Sequence, residues 1–145
     1  MKRFTQLVCL VLVVATVLTV PVSAEENMQP WGSSYFGSML SYLHKTTGNQ
    51  FQIWIEVVAV DEMDKLGASE IVLQYSSDNS NWTDLKTYTK ESHTNLVVSN
   101  DFSHKAYVTY TGTSGYYYRA EVTFYAKKGT GTAGYDYTTE SIYLS

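Results

Sequence analysis

Phe51-Gln52-Ile53-Trp54-Ile55-Glu56-Val57-Val58-Ala59-Val60 decides the fold class. Phe51, Ile53, Ile55, Val57 and Ala59 fall on one side of an extended chain, and Gln52, Trp54, Glu56 and Val58 on the other. A period of two predicts a β-strand with one face in a core.

Working outward, Ile71-Val72-Leu73-Gln74-Tyr75 repeats the alternation. Ser76-Ser77-Asp78-Asn79-Ser80-Asn81 follows, and side chains of these types bond their own backbone, which predicts a turn. Trp82 to Tyr88 then returns as the second strand of a hairpin. Tyr116 to Lys127 reads as a long strand, with Tyr116, Tyr118, Ala120, Val122 and Phe124 inward. Tyr117, Arg119, Glu121, Thr123 and Tyr125 form its opposite face. His104 to Tyr110 alternates too, and Leu96-Val97-Val98 suggests a short strand. Tyr35 to Lys45 reads as a first strand, although its apolar spacing also tolerates a helix. Gly48-Asn49 and Gly112 to Gly115 mark corners. Asp61 to Gly67 reads as one helical turn, capped by Asp61 and stopped by Gly67. Residues 128–134 read as a mobile loop before a last strand, Tyr135 to Leu144. About seven short strands with turn signals between them predict an all-β fold, an aligned β-sandwich.

The chain ends and the charge set the setting. Lys2 and Arg3, an apolar stretch from Leu7 to Val20 and the small residues Val22-Ser23-Ala24 read as a secretory signal over residues 1–24. Residues 25–34 read as a flexible leader and residues 35–145 as a single β-sandwich domain. Cleavage would remove Lys2 and Arg3, taking the ten basic residues to eight against fourteen acids. That excess of negative charge argues against nucleic acid or anionic lipid as the main partner. No stable membrane insertion is expected after signal cleavage. The only cysteine, Cys9, lies in the signal, so the exported chain relies on packing rather than disulfides. A secreted eukaryotic domain this small would more often carry disulfides, which points to a bacterial exporter, and there the Asn81-Trp82-Thr83 match to a glycosylation sequon would be coincidence. No wall-sorting Leu-Pro-x-Thr-Gly signal occurs, and release to the exterior is the expected location.

Two segments carry a resemblance. Ile71 to Trp82 resembles the strand–turn–Trp hairpin of bacterial fibronectin-III-like and immunoglobulin-like modules. Gly115-Tyr116-Tyr117-Tyr118-Arg119-Ala120 resembles their corner and following strand, in which a tyrosine hydroxyl bonds back to the loop. With the signal, the Asp61–Gly67 turn and the Tyr-rich C-terminal strand, the chain is similar to a domain-of-unknown-function family of small secreted proteins from clostridial-type Gram-positive bacteria. The resemblance implies an immunoglobulin/fibronectin-III-like β-sandwich of about seven strands and an extracellular location, and it carries over no functional residues. One departure is Asn79-Ser80 at the hairpin tip, where such modules place Gly after Asp. Asn accepts the left-handed conformation that the turn needs.

The residues of chemistry are sparse. His44, His93 and His104 are the candidate acid–base groups, and Asp101-Phe102-Ser103-His104 holds the best local pair. It reads more simply as a capped turn at a strand entrance. No Gly-x-Ser-x-Gly elbow, His-Glu-x-x-His helix or exported cysteine is present, and no catalytic residue is assigned. Asp61, Glu62 and Asp64 could offer oxygens to Ca²⁺, but they lack the alternating ligands of a calcium loop, and capping explains them better. No metal or cofactor is expected.

The aromatic residues carry the main functional signal. All 13 tyrosines follow the signal segment. The face bearing Tyr117, Arg119 and Tyr125 would suit stacking on a sugar or anchoring a protein partner. Cross-strand packing that stabilises the sheet explains the same residues. Trp54 points away from its core face, under a loop or into solvent, and Trp82 is expected against its own hairpin. The expected function is a secreted, non-catalytic binding module whose partner is a cell-envelope glycan or a secreted or surface protein. The alternatives are a self-associating structural protein and a small secreted effector or toxin.

Overall fold

A computed structural model describes residues 34–145. The expected signal, and the leader up to residue 33, lie outside the described residues. Among the described residues nine strands run β1 (Phe36–Lys45), β2 (Gln50–Met63), β3 (Lys65–Ser76), β4 (Thr83–Thr89), β5 (Val97–Val98), β6 (Asp101–Thr111), β7 (Tyr116–Lys128), β8 (Gly131–Thr138) and β9 (Ile142–Leu144). A 3-10 turn, Thr94–Leu96, precedes β5. All pairing is antiparallel. One sheet has the order β1-β2-β6, and the other has β4-β3-β7-β8, with β5 also on β3 and β9 also on β7.

The two sheets face each other as a β-sandwich, and the alternation seen in sequence is what fills it. Phe51, Ile53, Ile55 and Val57 of β2 meet Ile71 and Leu73 of β3 and Ala120, Val122 and Phe124 of β7 in one buried cluster. Each large side chain buried this way contributes about 1.5–3 kcal/mol of transfer free energy. Tyr118 closes one corner. Its hydroxyl accepts from the Thr113 N–H at 2.8 Å and donates to the Thr113 carbonyl at 3.3 Å. A Cβ on Gly112 would lie 2.6 Å from Leu144 and 2.9 Å from the Tyr118 ring, so this corner closes only around a glycine. The hairpin tip also forms as read. Asn79 sits at φ 59°, and Asp78 Oδ1 accepts from the N–H groups of Ser80 and Asn81. Those bonds, with the Asn81 amide and the Ser76 hydroxyl, hold the Asp78 carboxyl far below its usual range.

Three expectations are corrected. Asp61 to Gly67 is not a helical turn, because β2 runs on to Met63 and β3 begins at Lys65. Met63 and Leu66 are both fully buried in the core, and that burial outweighs the local capping signal. The carboxylates tie turns together instead. Asp64 accepts from the Gly129 N–H at 2.7 Å, and Asp61 pairs with Lys128. Gly67, far from ending a helix, lets the 3-10 turn cross β3, since a Cβ there would stand 1.9 Å from the Leu96 carbonyl oxygen.

The second correction concerns residues 128–134, which form a tight β7–β8 turn and the first half of β8 rather than a loop. Ala133 pairs with Ala126 and Gly134 with Tyr125. The third is the strand count, nine rather than about seven. Val97–Val98 forms its own short pairing, and the last expected strand breaks into β8 and β9. The break falls at the buried Thr139. Its Oγ1 accepts from the Ala120 N–H at 2.9 Å and its own N–H donates to the Ala120 carbonyl at 2.9 Å. The side chain thereby does the work of a missing ladder bond.

Candidate functional site

Each sheet turns one face outward, and alternation decides what stands on it. On β7 the outward residues are Tyr117, Arg119, Glu121, Thr123 and Tyr125, as the sequence implies. Tyr117 and Arg119 are alternate residues there, each with its own partners. Arg119 lies 4.4 Å over the Trp82 ring, its Nε donates to Gln74 Oε1 at 2.8 Å, and its Nη2 lies 3.5 Å from Glu121 Oε1. Gln74 is buried and passes the contact on, donating from Nε2 to Asp84 at 2.8 Å. Trp82, expected against its own hairpin, is thus held by a residue of β7. Tyr117 packs on Tyr143, directly opposite on β9, with ring centroids 4.8 Å apart. Tyr125 stands eight residues further on, on the order of 27 Å at about 3.4 Å per residue, with Lys90 over its ring. Tyr117 and Arg119 are thus alternate residues of one face with separate partners, and Tyr125 stands apart from both. The Arg119 group is engaged on three sides by its own sheet.

The outer face of the β1-β2-β6 sheet is different. Tyr42, Trp54 and Tyr107 stand opposite one another across its three strands. The Tyr42 and Trp54 rings are near parallel, 12° apart at 6.4 Å, and Trp54 and Tyr107 are 4.5 Å apart. Lys105 Nζ sits 4.9 Å over Trp54 and 2.6 Å from Glu56 Oε1, which also accepts from the Tyr42 hydroxyl at 2.9 Å. The hydrogen bonds from Lys105 and Tyr42 lower the Glu56 pKa. Burial, then the bond to Glu56, raises that of Tyr42. The Trp54 indole N–H donates to Gln52 Oε1 at 3.0 Å.

This face also gathers exposed apolar surface. Of the seven exposed large apolar side chains among the described residues, Leu40, Val58, Val60 and Tyr107 share the outward parity of Trp54, and Phe102 stands at the start of β6. An open groove of ≈ 770 Å³ leads from Trp54 and Tyr107 to Val97 and Val98. Exposed apolar surface that is continuous, rather than scattered, is what marks a docking surface. Sequence reading put Trp54 on the outward face but missed the row, because alternation within a strand does not say which residues of other strands stand opposite.

The histidines weighed in sequence are dispersed. His104 donates from Nε2 to the Asn95 carbonyl at 2.7 Å, anchoring the 3-10 turn to β6. His93 packs edge-on against Tyr88 and accepts or donates at Ser92. His44 lies at the end of β1. No group of three or more His, Cys, Asp and Glu fit to hold a metal occurs among the described residues, and among them no helix is long and apolar enough to cross a membrane.

No protein-family model matches the chain, and no curated protein is similar to it. A crystal structure of a family 76 glycoside hydrolase from a bovine Bacteroides thetaiotaomicron strain is similar over 75% of this chain and 20% of its own, at 11% identity and a TM-score of 0.33. The present chain thus spans about a fifth of that protein's length. A likeness of this order assigns nothing to the present chain.

Proposed function

We propose that the protein is a secreted, non-catalytic binding module whose ligand lies on the outer face of the β1-β2-β6 sheet. The observation that carries this is the row Tyr42–Trp54–Tyr107, in register across all three strands on a face that also exposes Leu40 and Val58. A glycan is the ligand whose chemistry fits. Aromatic rings receive the apolar C–H faces of sugars, and polar groups beside them receive hydroxyls. Gln52, Trp54 and Glu56 are alternate residues of β2. The Gln52 amide hydrogens and Glu56 Oε2 have no partner among the hydrogen bonds that hold the row together. A donor and an acceptor therefore flank the rings.

The type of sandwich supports an extracellular module. A β1-β2-β6 sheet facing a β4-β3-β7-β8 sheet is compatible with an immunoglobulin- or fibronectin-III-like module, which supports the extracellular reading. The Tyr118–Thr113 corner belongs to the same pattern.

Co-sedimentation with insoluble cell-wall glycan tests the reading. Wild type and Tyr117→Ala/Tyr125→Ala should pellet, and Tyr107→Ala/Gln52→Ala should remain in solution with its unfolding midpoint little changed. Loss in the Tyr117/Tyr125 variant alone would move the site to the larger sheet. If no form pelleted with any wall or storage glycan, the glycan reading would fall.

A further inference from the structure

We infer that Tyr117 and Tyr143 form an oxidative cross-linking site, closing to a dityrosine that staples the C-terminal strand to β7. The pair stands directly opposite in the β7–β9 ladder, with ring centroids 4.8 Å apart and planes tilted by 48°. That centroid separation is at the short end for packed aromatic pairs, so the two phenols need move little to couple. Other tyrosine pairs are less suited. Tyr75 and Tyr116 meet edge to face at 5.6 Å and are half-buried against the core, and Tyr110 and Tyr118 are 6.3 Å apart with Tyr118 buried. Tyr143 is 43% exposed, so an oxidant in solution reaches it.

The chemistry balances with a peroxide and a haem peroxidase as oxidant. Each phenol gives up one electron and its hydroxyl proton, leaving a radical shared with the carbon beside the C–O bond. The two carbons join, and the hydrogen on each returns to its own oxygen, restoring both phenols. Two hydrogens leave the protein, and one peroxide becomes two waters. The site has a mechanical purpose. β9 is only three residues long, and the single cysteine, Cys9, leaves residues 34–145 without a disulfide. A bond from 117 to 143 would hold β9 against β7 as a disulfide holds other secreted domains.

The test treats dilute full-length protein with horseradish peroxidase and hydrogen peroxide. Wild type should yield a monomer lighter by two hydrogens, with dityrosine fluorescence and a digest peptide joining residues 117 and 143, at a yield independent of protein concentration. Tyr143→Phe and Tyr117→Phe should each abolish that species, while Tyr107→Phe should retain it. Both phenylalanine variants keep the ring packing, so loss of the product reports chemistry rather than unfolding. A wild-type protein that gave no intramolecular product, or only dimers joined through other tyrosines, would overturn the inference. Neither result bears on glycan binding by the opposite sheet.

Discussion

Replacing Tyr88 by phenylalanine should make the protein more stable, and increasingly so in alkali. Tyr88 lies on β4 opposite Ile71 and is 2% exposed, and its hydroxyl has no hydrogen-bond partner among the described residues. Burying such a group without a partner costs about 1–3 kcal/mol. Phenylalanine keeps the ring, its edge contact with His93 and the Lys86 ammonium over it. A gain of about 1 kcal/mol at neutral pH is expected once the lost contacts of the oxygen are set against that cost. Burial, with a smaller push from Tyr110, raises the Tyr88 pKa from 10.0 to about 12. The folded state thus holds this proton more tightly than the unfolded chain does. The stability this contributes is complete below the unfolded pKa and is lost as pH climbs from 10 towards about 12. At about 1.4 kcal/mol per pH unit, the full loss is about 3 kcal/mol, with about half of it by pH 11. The variant has no such loss, and every other tyrosine is common to both proteins. Urea unfolding followed by tryptophan fluorescence at pH 7, 10 and 11 measures the difference. A variant less stable than wild type at pH 7, with a gap that stays constant to pH 11, would refute the reasoning.

Gly67→Ala should cost far more than the roughly 1 kcal/mol of an unfavourable φ, because its Cβ would collide with the Leu96 carbonyl. Loss of dispersed amide proton signals would confirm it, and a normally folded variant would contradict the crossing of the 3-10 turn over β3. Arg119→Ala should lower stability by about 1–2 kcal/mol through loss of the stack on Trp82 and the bond to Gln74. Arg119→Lys should recover little of it, since an ammonium lacks the planar fork. Chemical denaturation of the two variants checks this, and full recovery by lysine would mean that charge alone matters there.

Strands that bury one face were legible in the sequence because their alternation is also the reason they fold. Phe51 to Ala59 and Tyr118 to Phe124 show core residues at every second position, and both segments fill the core in that parity. A tyrosine corner was legible in Gly115 to Ala120 only by resemblance, and the structure singles out Tyr118 as the tyrosine that bonds back to the loop. Signals that compete locally were misleading. Asp61 and Gly67 suit a helical turn by type, but Met63 and Leu66 are worth more in the core than one capped turn. Gly131 to Gly134 looked like a loop by composition, yet small residues are tolerated in β8 because β7 supplies its backbone partners. The row on the smaller sheet was not legible at all. Tyr42, Trp54 and Tyr107 lie far apart in sequence, and only the register of β1, β2 and β6 makes them neighbours.

The contrast between the two outer faces follows from how each disposes of its polar atoms. On the larger sheet, Asp84, Gln74, Arg119 and Glu121 form one continuous chain of contacts, with Trp82 and Arg119 stacked over it. A ligand arriving there would have to break bonds before making any, at about the cost of each bond it displaced. On the smaller sheet the bonds among Tyr42, Glu56 and Lys105 fix the orientation of the groups around the rings, while Glu56 Oε2 and the Gln52 amide hydrogens stay outside that set. There a ligand adds hydrogen bonds to side chains that are already held in place, and loses little conformational freedom in doing so. The same tyrosine-rich composition thus produces one face whose polar groups are paired with one another and one that leaves Glu56 Oε2 and the Gln52 amide hydrogens outside its bonds, which is the difference the proposed site rests on.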